Sequence, residues 1–146
     1  MIIAFACDHG GFSFREKIIS HLKNLGHNVV DKWPSSFQEL DDFPDYSSKV
    51  CDTILSGEAE RGILICGTGI GMSIAANRFH WIRAGLLYSP EIAKISRSHN
   101  DANVACFWAR TMTTESILQS IDAFLSEPFI GDKYQKRNEK IDLCSC

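Results

Sequence analysis

Five short apolar runs recur along the chain, separated by stretches in which apolar residues return every three or four positions. The runs are IIAFAC (2–7), HNVVD (27–31), GILIC (62–66), RAGLL (83–87) and NVACF (103–107). Phe14, Ile18, Leu22 and Leu25 follow the first run at helical spacing, and Tyr46, Val50 and Ile54 precede the third. Gly26 reads as a helix stop, and the segment from Pro34 to Pro44 as a loop rich in turn formers and acids. Ser89-Pro90-Glu91 has the form of an N-cap, a proline at the first helical position and an acid in the first turn. Thr113, Thr114 and Glu115 open a last periodic stretch with Ile117, Ile121 and Phe124 on one face. Runs apolar on both faces, alternating with helices, predict an α/β fold: a Rossmann-like three-layer sandwich with a five-stranded parallel sheet.

In such folds ligands bind beyond the carboxyl ends of the strands. Asp8 and His9 follow the first strand, the Cys66–Gly71 loop the third, and Trp108 to Arg110 the fifth, so all can face one crevice. His99 and Asn100 follow the fourth helix and precede the fifth strand, which starts them from the opposite edge. Either they serve no site or they reach a different one.

Composition narrows the partner class. The chain has 146 residues, 45% of them hydrophobic and 23% charged, with a net charge of -3, which predicts one domain over 1–146 and no electropositive face for nucleic acid. No apolar run is long enough for a membrane span, and the apolar start meets Asp8 and His9 without a basic leader, so a cytoplasmic protein is expected. Six cysteines without a CxxC read as reduced thiols, and Cys144 and Cys146 make an incomplete metal site, so no metal is expected.

The chemistry concentrates at ILICGTGIGMSIAANR (63–78). Gly67, Gly69 and Gly71 let backbone N–H groups converge beside a helix start near Gly71, which suits an anion; a tight strand-to-helix turn is the structural alternative. A dinucleotide fingerprint fails at Met72, and a P-loop lacks its Lys-Ser/Thr pair. Cys66 stands where the helix dipole favours a thiolate, a base or nucleophile; its alternative is a small buried hydrophobe. Thr68 adds a hydroxyl, and Met72 offers no competing carboxylate. His9 and His99 are ligands or surface groups, whereas His21, His27 and His80, lacking acidic or glycine-rich companions, read as solvated.

The CDHGG at 7–11, the run at 63–78 and SRSHNDANV at 96–104 together resemble the sugar-phosphate isomerase family of type B ribose-5-phosphate isomerases and galactose-6-phosphate isomerase subunits. The resemblance spans essentially the whole chain. It implies a dimer, or a dimer of dimers, with shared active sites, which interconverts aldose and ketose phosphates without metal or organic cofactor. Cys66 then matches the base that moves a proton between C1 and C2 through an enediolate. The loop of Gly67, Thr68, Gly69, Ile70 and Gly71 matches the anion hole, and His99 the acid-base that opens the furanose. Asp8 and Asn100 match hydroxyl-binding positions, and His9, Arg110 and Arg137 phosphate ligands, with Lys133 standing where the family has an arginine. Some relatives carry a glutamate base at the position of Met72, which leaves Cys66 as the candidate base in this chain.

Two further positions depart from the family pattern: Phe43 replaces a tyrosine and Trp108 a glycine. The expected substrate is ribose 5-phosphate. Galactose 6-phosphate or allose 6-phosphate, a silent sugar-phosphate-binding module, and a thiol hydrolase built on Cys66, His99 and Asp8 are the alternatives. Lys133, Lys136, Arg137 and Lys140 fall at i, i+3, i+4 and i+7, so a helix over 131–142 presents one cationic face. Such a helix, lying beyond the last βα unit, can pack on a partner subunit and bring Arg137 to its phosphate site, or simply be solvated.

Overall fold

The computed structural model describes residues 1–33 and 41–143; residues 34–40 of the acid-rich loop, and Cys144 and Cys146, lie outside the described residues. The strands are β1 (Ile2–Cys7), β2 (Asn28–Asp31), β3 (Arg61–Cys66), β4 (Ala84–Leu86) and β5 (Val104–Trp108). The helices are α1 (Arg15–Asn24), α2 (Phe43–Leu55), α3 (Ile70–Ala76), α4 (Pro90–Asn100), α5 (Thr114–Ser126) and α6 (Lys133–Asp142). All pairings are parallel, in the order β2-β1-β3-β5-β4. The connections leaving β1 and β2 therefore place strands on opposite sides of β1. Between β1 and β3 the loops diverge, which is where an open α/β sheet leaves a crevice.

Two helical layers cover the sheet. On one side α2 packs against α3; on the other α5 packs against α1 and α4. The both-faced apolarity of the strands is thereby used up: Ile3 to Cys7 and Ile63 to Ile65 are wholly buried, as are Val104 to Phe107. The close approach of α2 to β3 depends on Gly62, where a Cβ would lie 2.7 Å from Val50 Cγ1 and 2.9 Å from Ile54 Cδ1. The expected cap of α4 is present, Ser89 Oγ accepting the Ile92 N–H at 3.3 Å, and Thr113 Oγ1 caps α5 in the same way.

Several local expectations are corrected. Residues His9–Phe14 form a 3-10 helix rather than a loop, because the Asp8 carboxylate takes the Gly11 N–H at 3.2 Å and pulls the chain into a tight turn. Pro44 is not in the loop but in the first turn of α2, a position that loses no helical hydrogen bond. Helix α3 starts at Ile70, in agreement with the expected start near Gly71. His21 is not merely solvated: its Nε2 meets Asp122 Oδ1 at 2.6 Å, tying α1 to α5. His27 is half-buried with Nδ1 unpartnered, and exposed His80 packs edge-on against Trp81. No helix among the described residues is long and apolar enough to cross a membrane.

Candidate active site

At the carboxyl edge three strand ends meet. Cys66 closes β3 with 4% exposure, and the chain then turns at Gly69, whose backbone N–H points back at Cys66 Sγ from 3.0 Å. The turn is left-handed at Gly69, φ +70°, and a Cβ there would lie 2.6 Å from Leu86 Cδ1 and 2.9 Å from the Phe107 carbonyl oxygen. Only glycine satisfies both the dihedral and the space. The other two glycines permit close approach: a Cβ on Gly71 would enter the Phe43 ring at 2.7 Å, and one on Gly67 would crowd Arg110 Nε at 3.1 Å. Thr68 is exposed, with its Oγ1 facing the Ile70 N–H at 3.4 Å.

The β1 loop is set against this turn. A Cβ on Gly10 would lie 3.1 Å from Gly67 N and 3.2 Å from Asp8 Oδ1, so the two loops touch through their backbones. Asp8 is 6% exposed, and burial pushes its carboxyl above the usual range, against the opposing pull of the Gly11 N–H and of His9. His9 keeps its ring on Asp41, Nδ1 to Oδ1 at 2.7 Å, and that hydrogen bond holds its pKa above the ordinary histidine value. Arg110 is exposed, lies beside Gly67, and donates its backbone N–H to the Gly67 carbonyl at 3.1 Å. The crevice thus holds a thiol with a donor aimed at it, a buried carboxyl, an imidazole and a guanidinium.

Burial pushes the Cys51 thiol up to about 12, and raises the Cys7 and Cys106 thiols as well. Those three are core residues. Met72, at 0% exposure, also belongs to the core and takes no part in the crevice.

His99 and Asn100 are elsewhere. They end α4, which runs back against the strands, and so sit at the amino edge of the sheet, about 17 Å from its carboxyl edge for a five-residue parallel strand. The His99 ring stacks on Tyr134 of α6, centroids 4.0 Å apart and 9° from parallel. This geometry removes the thiol hydrolase, which needs His99 on the sulfur of its own chain. Arg83 organises the edge: it donates to the carbonyls of Asn100 and Asp101, to Asp101 Oδ2 at 2.9 Å, and to both oxygens of Asp142 at 3.0 and 3.1 Å. Asn138 adds a bond from Nδ2 to the His99 carbonyl at 3.2 Å. Lys133 and Arg137 lie over the Tyr134 ring, at 5.2 and 5.5 Å from its centroid. A cavity of about 210 Å³ opens between Arg83, Asn100, Ser96 and Ile141.

A family model described as Ribose/Galactose Isomerase matches residues 3–141. The chain belongs to the ribose/galactose isomerase family. It is accordingly an enzyme of the aldose-ketose isomerase class. It is 45% identical over 141 residues to ribose-5-phosphate isomerase B of Escherichia coli (strain K12), covering 95% of this chain and 93% of that one. A ribose 5-phosphate isomerase from Thermotoga maritima is 45% identical, with a TM-score of 0.92 over 97% of each chain. Ribose-5-phosphate isomerase B from Mycoplasma genitalium, solved with bound ribulose-5-phosphate, is 38% identical with a TM-score of 0.92, over 97% of this chain and 93% of that one.

Within this family the departures noted in the sequence now have positions. Phe43 begins α2 and fills the space above Gly71; Trp108 ends β5 with its ring against Gly69 and its Nε1 buried without a partner. Asp41, which holds His9, escaped the sequence reading altogether. Nothing in its local pattern distinguishes it from the neighbouring acids, since its partner is 32 residues away. Among the described residues no three His, Cys, Asp or Glu side chains are grouped to hold a metal ion.

Proposed function

We propose that this enzyme interconverts ribose 5-phosphate and ribulose 5-phosphate by proton transfer through an enediolate, with Cys66 as the base. The observation that carries this reading is the Gly69 N–H aimed at Cys66 Sγ, in a crevice that also holds Asp8, His9 and Arg110. The thiolate takes the proton from C2 of the open-chain aldose and the C1 carbonyl oxygen becomes the enediolate oxygen; a proton passes from the C2 hydroxyl to O1, and the thiol returns its proton to C1 as C2 becomes a carbonyl. The charge that moves onto oxygen needs fixed donors, which the backbone of the Gly67–Gly71 loop and the Thr68 hydroxyl supply. Asp8 receives sugar hydroxyls, while His9 and Arg110 take the phosphate. The route uses neither metal nor organic cofactor.

Ring opening needs a further acid-base, because the proposed roles commit Cys66 to the carbon-bound proton, Asp8 to sugar hydroxyls and His9 to the phosphate. His99, with Asn100, takes that role in the site of a second copy of the chain, and Lys133 and Arg137 of α6 reach the same phosphate. Support comes from their common place at the amino edge, too far from Cys66 to act on it within one chain. The enzyme is then a homodimer, or a dimer of dimers, with shared sites. Four free, buried cysteines fit a cytoplasmic protein folded as one domain.

The decisive assay incubates the purified protein with ribose 5-phosphate in EDTA and follows ribulose 5-phosphate. Turnover is expected. Galactose 6-phosphate and allose 6-phosphate, run alongside, should turn over more slowly. Thermal stabilisation by ribose 5-phosphate without any product would make the chain a binding module and overturn the proposal.

A further inference from the structure

The His9 side chain is held by an acid outside the three sequence motifs. Asp41 Oδ1 accepts the His9 backbone N–H at 3.0 Å and its ring Nδ1 at 2.7 Å. One carboxylate oxygen therefore fixes both the backbone and the ring, and the ring cannot swing without losing a bond. The Asp41 side chain is 3% exposed and that of His9 42%, so the pair has a buried anchor and an accessible end. With Nδ1 committed, Nε2 is the ring nitrogen left to meet a ligand.

We infer that Asp41 is a positioning residue that fixes His9 as the hydrogen-bond donor to the substrate's phosphate. The inference rests on the sugar-phosphate reading above. Its chemistry follows from the tautomer. A neutral ring with its proton on Nδ1 presents Nε2 as a lone-pair acceptor, which repels phosphate oxygen; the imidazolium presents an N–H. Asp41 favours the imidazolium. The groups facing His9 are Asp41 from the segment just before the N-cap of α2, Asp8 from the β1 loop, which also favours the charged ring, and Arg110 from beyond β5, which opposes it. Tyr46 of α2 and Cys7 of β1 stand around Asp41 itself.

The second oxygen strengthens the argument. Asp41 Oδ2 is buried without a hydrogen-bond partner at normal geometry, although the Tyr46 phenol lies near enough to help stabilise the charge. Burial opposes the charge, but the His9 bonds and Tyr46 hold the Asp41 carboxyl below its ordinary range, whereas a simple latch between the two segments could be made with a neutral amide. A charge there has a use if its partner must carry one.

The test measures KM and kcat for ribose 5-phosphate from pH 7 to 9, together with inhibition by inorganic phosphate and the His9 ring titration by NMR, in wild type and Asp41→Asn. Above pH 7 a sugar phosphate is already mostly dianionic, so a rising KM reports the protein. In Asp41→Asn the His9 titration should move to lower pH, and KM at neutral pH should rise about tenfold, as expected for loss of one charge-assisted hydrogen bond, with kcat little changed. Inhibition by inorganic phosphate should weaken in parallel. On a His9→Gln background Asp41→Asn should cost nothing further.

An Asp41→Asn protein that moves the His9 titration but leaves KM and phosphate inhibition unchanged would reduce Asp41 to a structural latch and overturn the inference. Isomerisation would meanwhile still stand. A wild type without isomerase activity would instead sink the proposed reaction. If the variant does not fold, inorganic phosphate titrated into the wild type must still shift the His9 ring signals and raise its pKa; unmoved signals overturn the inference.

Discussion

At the carboxyl edge of the sheet, Asp8, His9, Cys66 and Arg110 arrive on three strand ends and are pressed together through glycines; at the amino edge, His99, Lys133 and Arg137 surround the Tyr134 ring, and Arg83 ties the end of α4 to α6. The first group has a thiol, a carboxyl, an imidazole and a guanidinium within one crevice. The second has an imidazole, an amide, carboxylates and cations. Parallel topology explains the separation, since strands deliver their ends to one edge and the returning helices deliver theirs to the other. Within one chain the two groups stay about 17 Å apart at opposite edges of the sheet, and the proposed shared site joins the carboxyl edge of one copy to the amino edge of another.

The largest effect is expected at Cys66. Cys66→Ala should lower kcat by at least ~10²-fold, the usual scale for a proton-transferring group, while the melting temperature stays close to wild type. Retained turnover would make Cys66 a core thiol like Cys106. At the amino edge the balance is reversed. Arg83 is 16% exposed and its ion pairs span β4, the end of α4 and α6. Arg83→Gln should cost about 1–3 kcal/mol of stability by leaving the half-buried Asp142 without its cation, while Asp101 keeps its pair with Arg97. Its activity loss should be smaller than that of Cys66→Ala, and denaturant unfolding reads the stability term directly.

The smallest effect is the pH dependence of the His9–Asp41 pair. The His9 pKa is raised, chiefly by the Asp41 hydrogen bond, so its contribution is full below the ordinary 6.5 and is lost as pH rises through the raised value. Burial works against ionised Asp41, but the two His9 bonds and Tyr46 outweigh it and hold its carboxyl below the ordinary 3.8, so its contribution fades only as pH falls through the lowered value. The melting temperature of wild type should therefore exceed that of Asp41→Asn most between those two limits. Because His9 is 42% exposed, the difference should stay within ~3 °C and shrink in alkali.

Much of this arrangement was legible in the sequence because it depends on local pattern. Apolar runs bounded by Gly69, Ser89-Pro90 and Thr113 specify strands and helix starts through dihedrals and caps made within three or four residues. The alternation alone placed Cys66 and His99 at opposite edges. What could not be read is long-range pairing: the β2-β1-β3-β5-β4 order, the His21–Asp122 bond, the grip of Asp41 on His9, and the convergence of Asp101 and Asp142 on Arg83. Each joins residues whose local sequences carry no mark of the partner. The turn at His9–Phe14 was missed for a related reason, since Asp-His-Gly-Gly reads equally as a loop until Asp8 caps it.

Mixing two damaged proteins tests the central claim most directly. Cys66→Ala disables the carboxyl-edge half of a site and Arg137→Ala the amino-edge half, so each alone should be inactive or nearly so. If subunits exchange at random in a two-fold dimer, half the dimers are mixed and each holds one intact site. Activity should then recover to roughly a quarter of wild type. No recovery, with subunit exchange demonstrated on the same sample, would show that Arg137 serves its own chain or only the surface, and the account of two complementary edges would be contradicted.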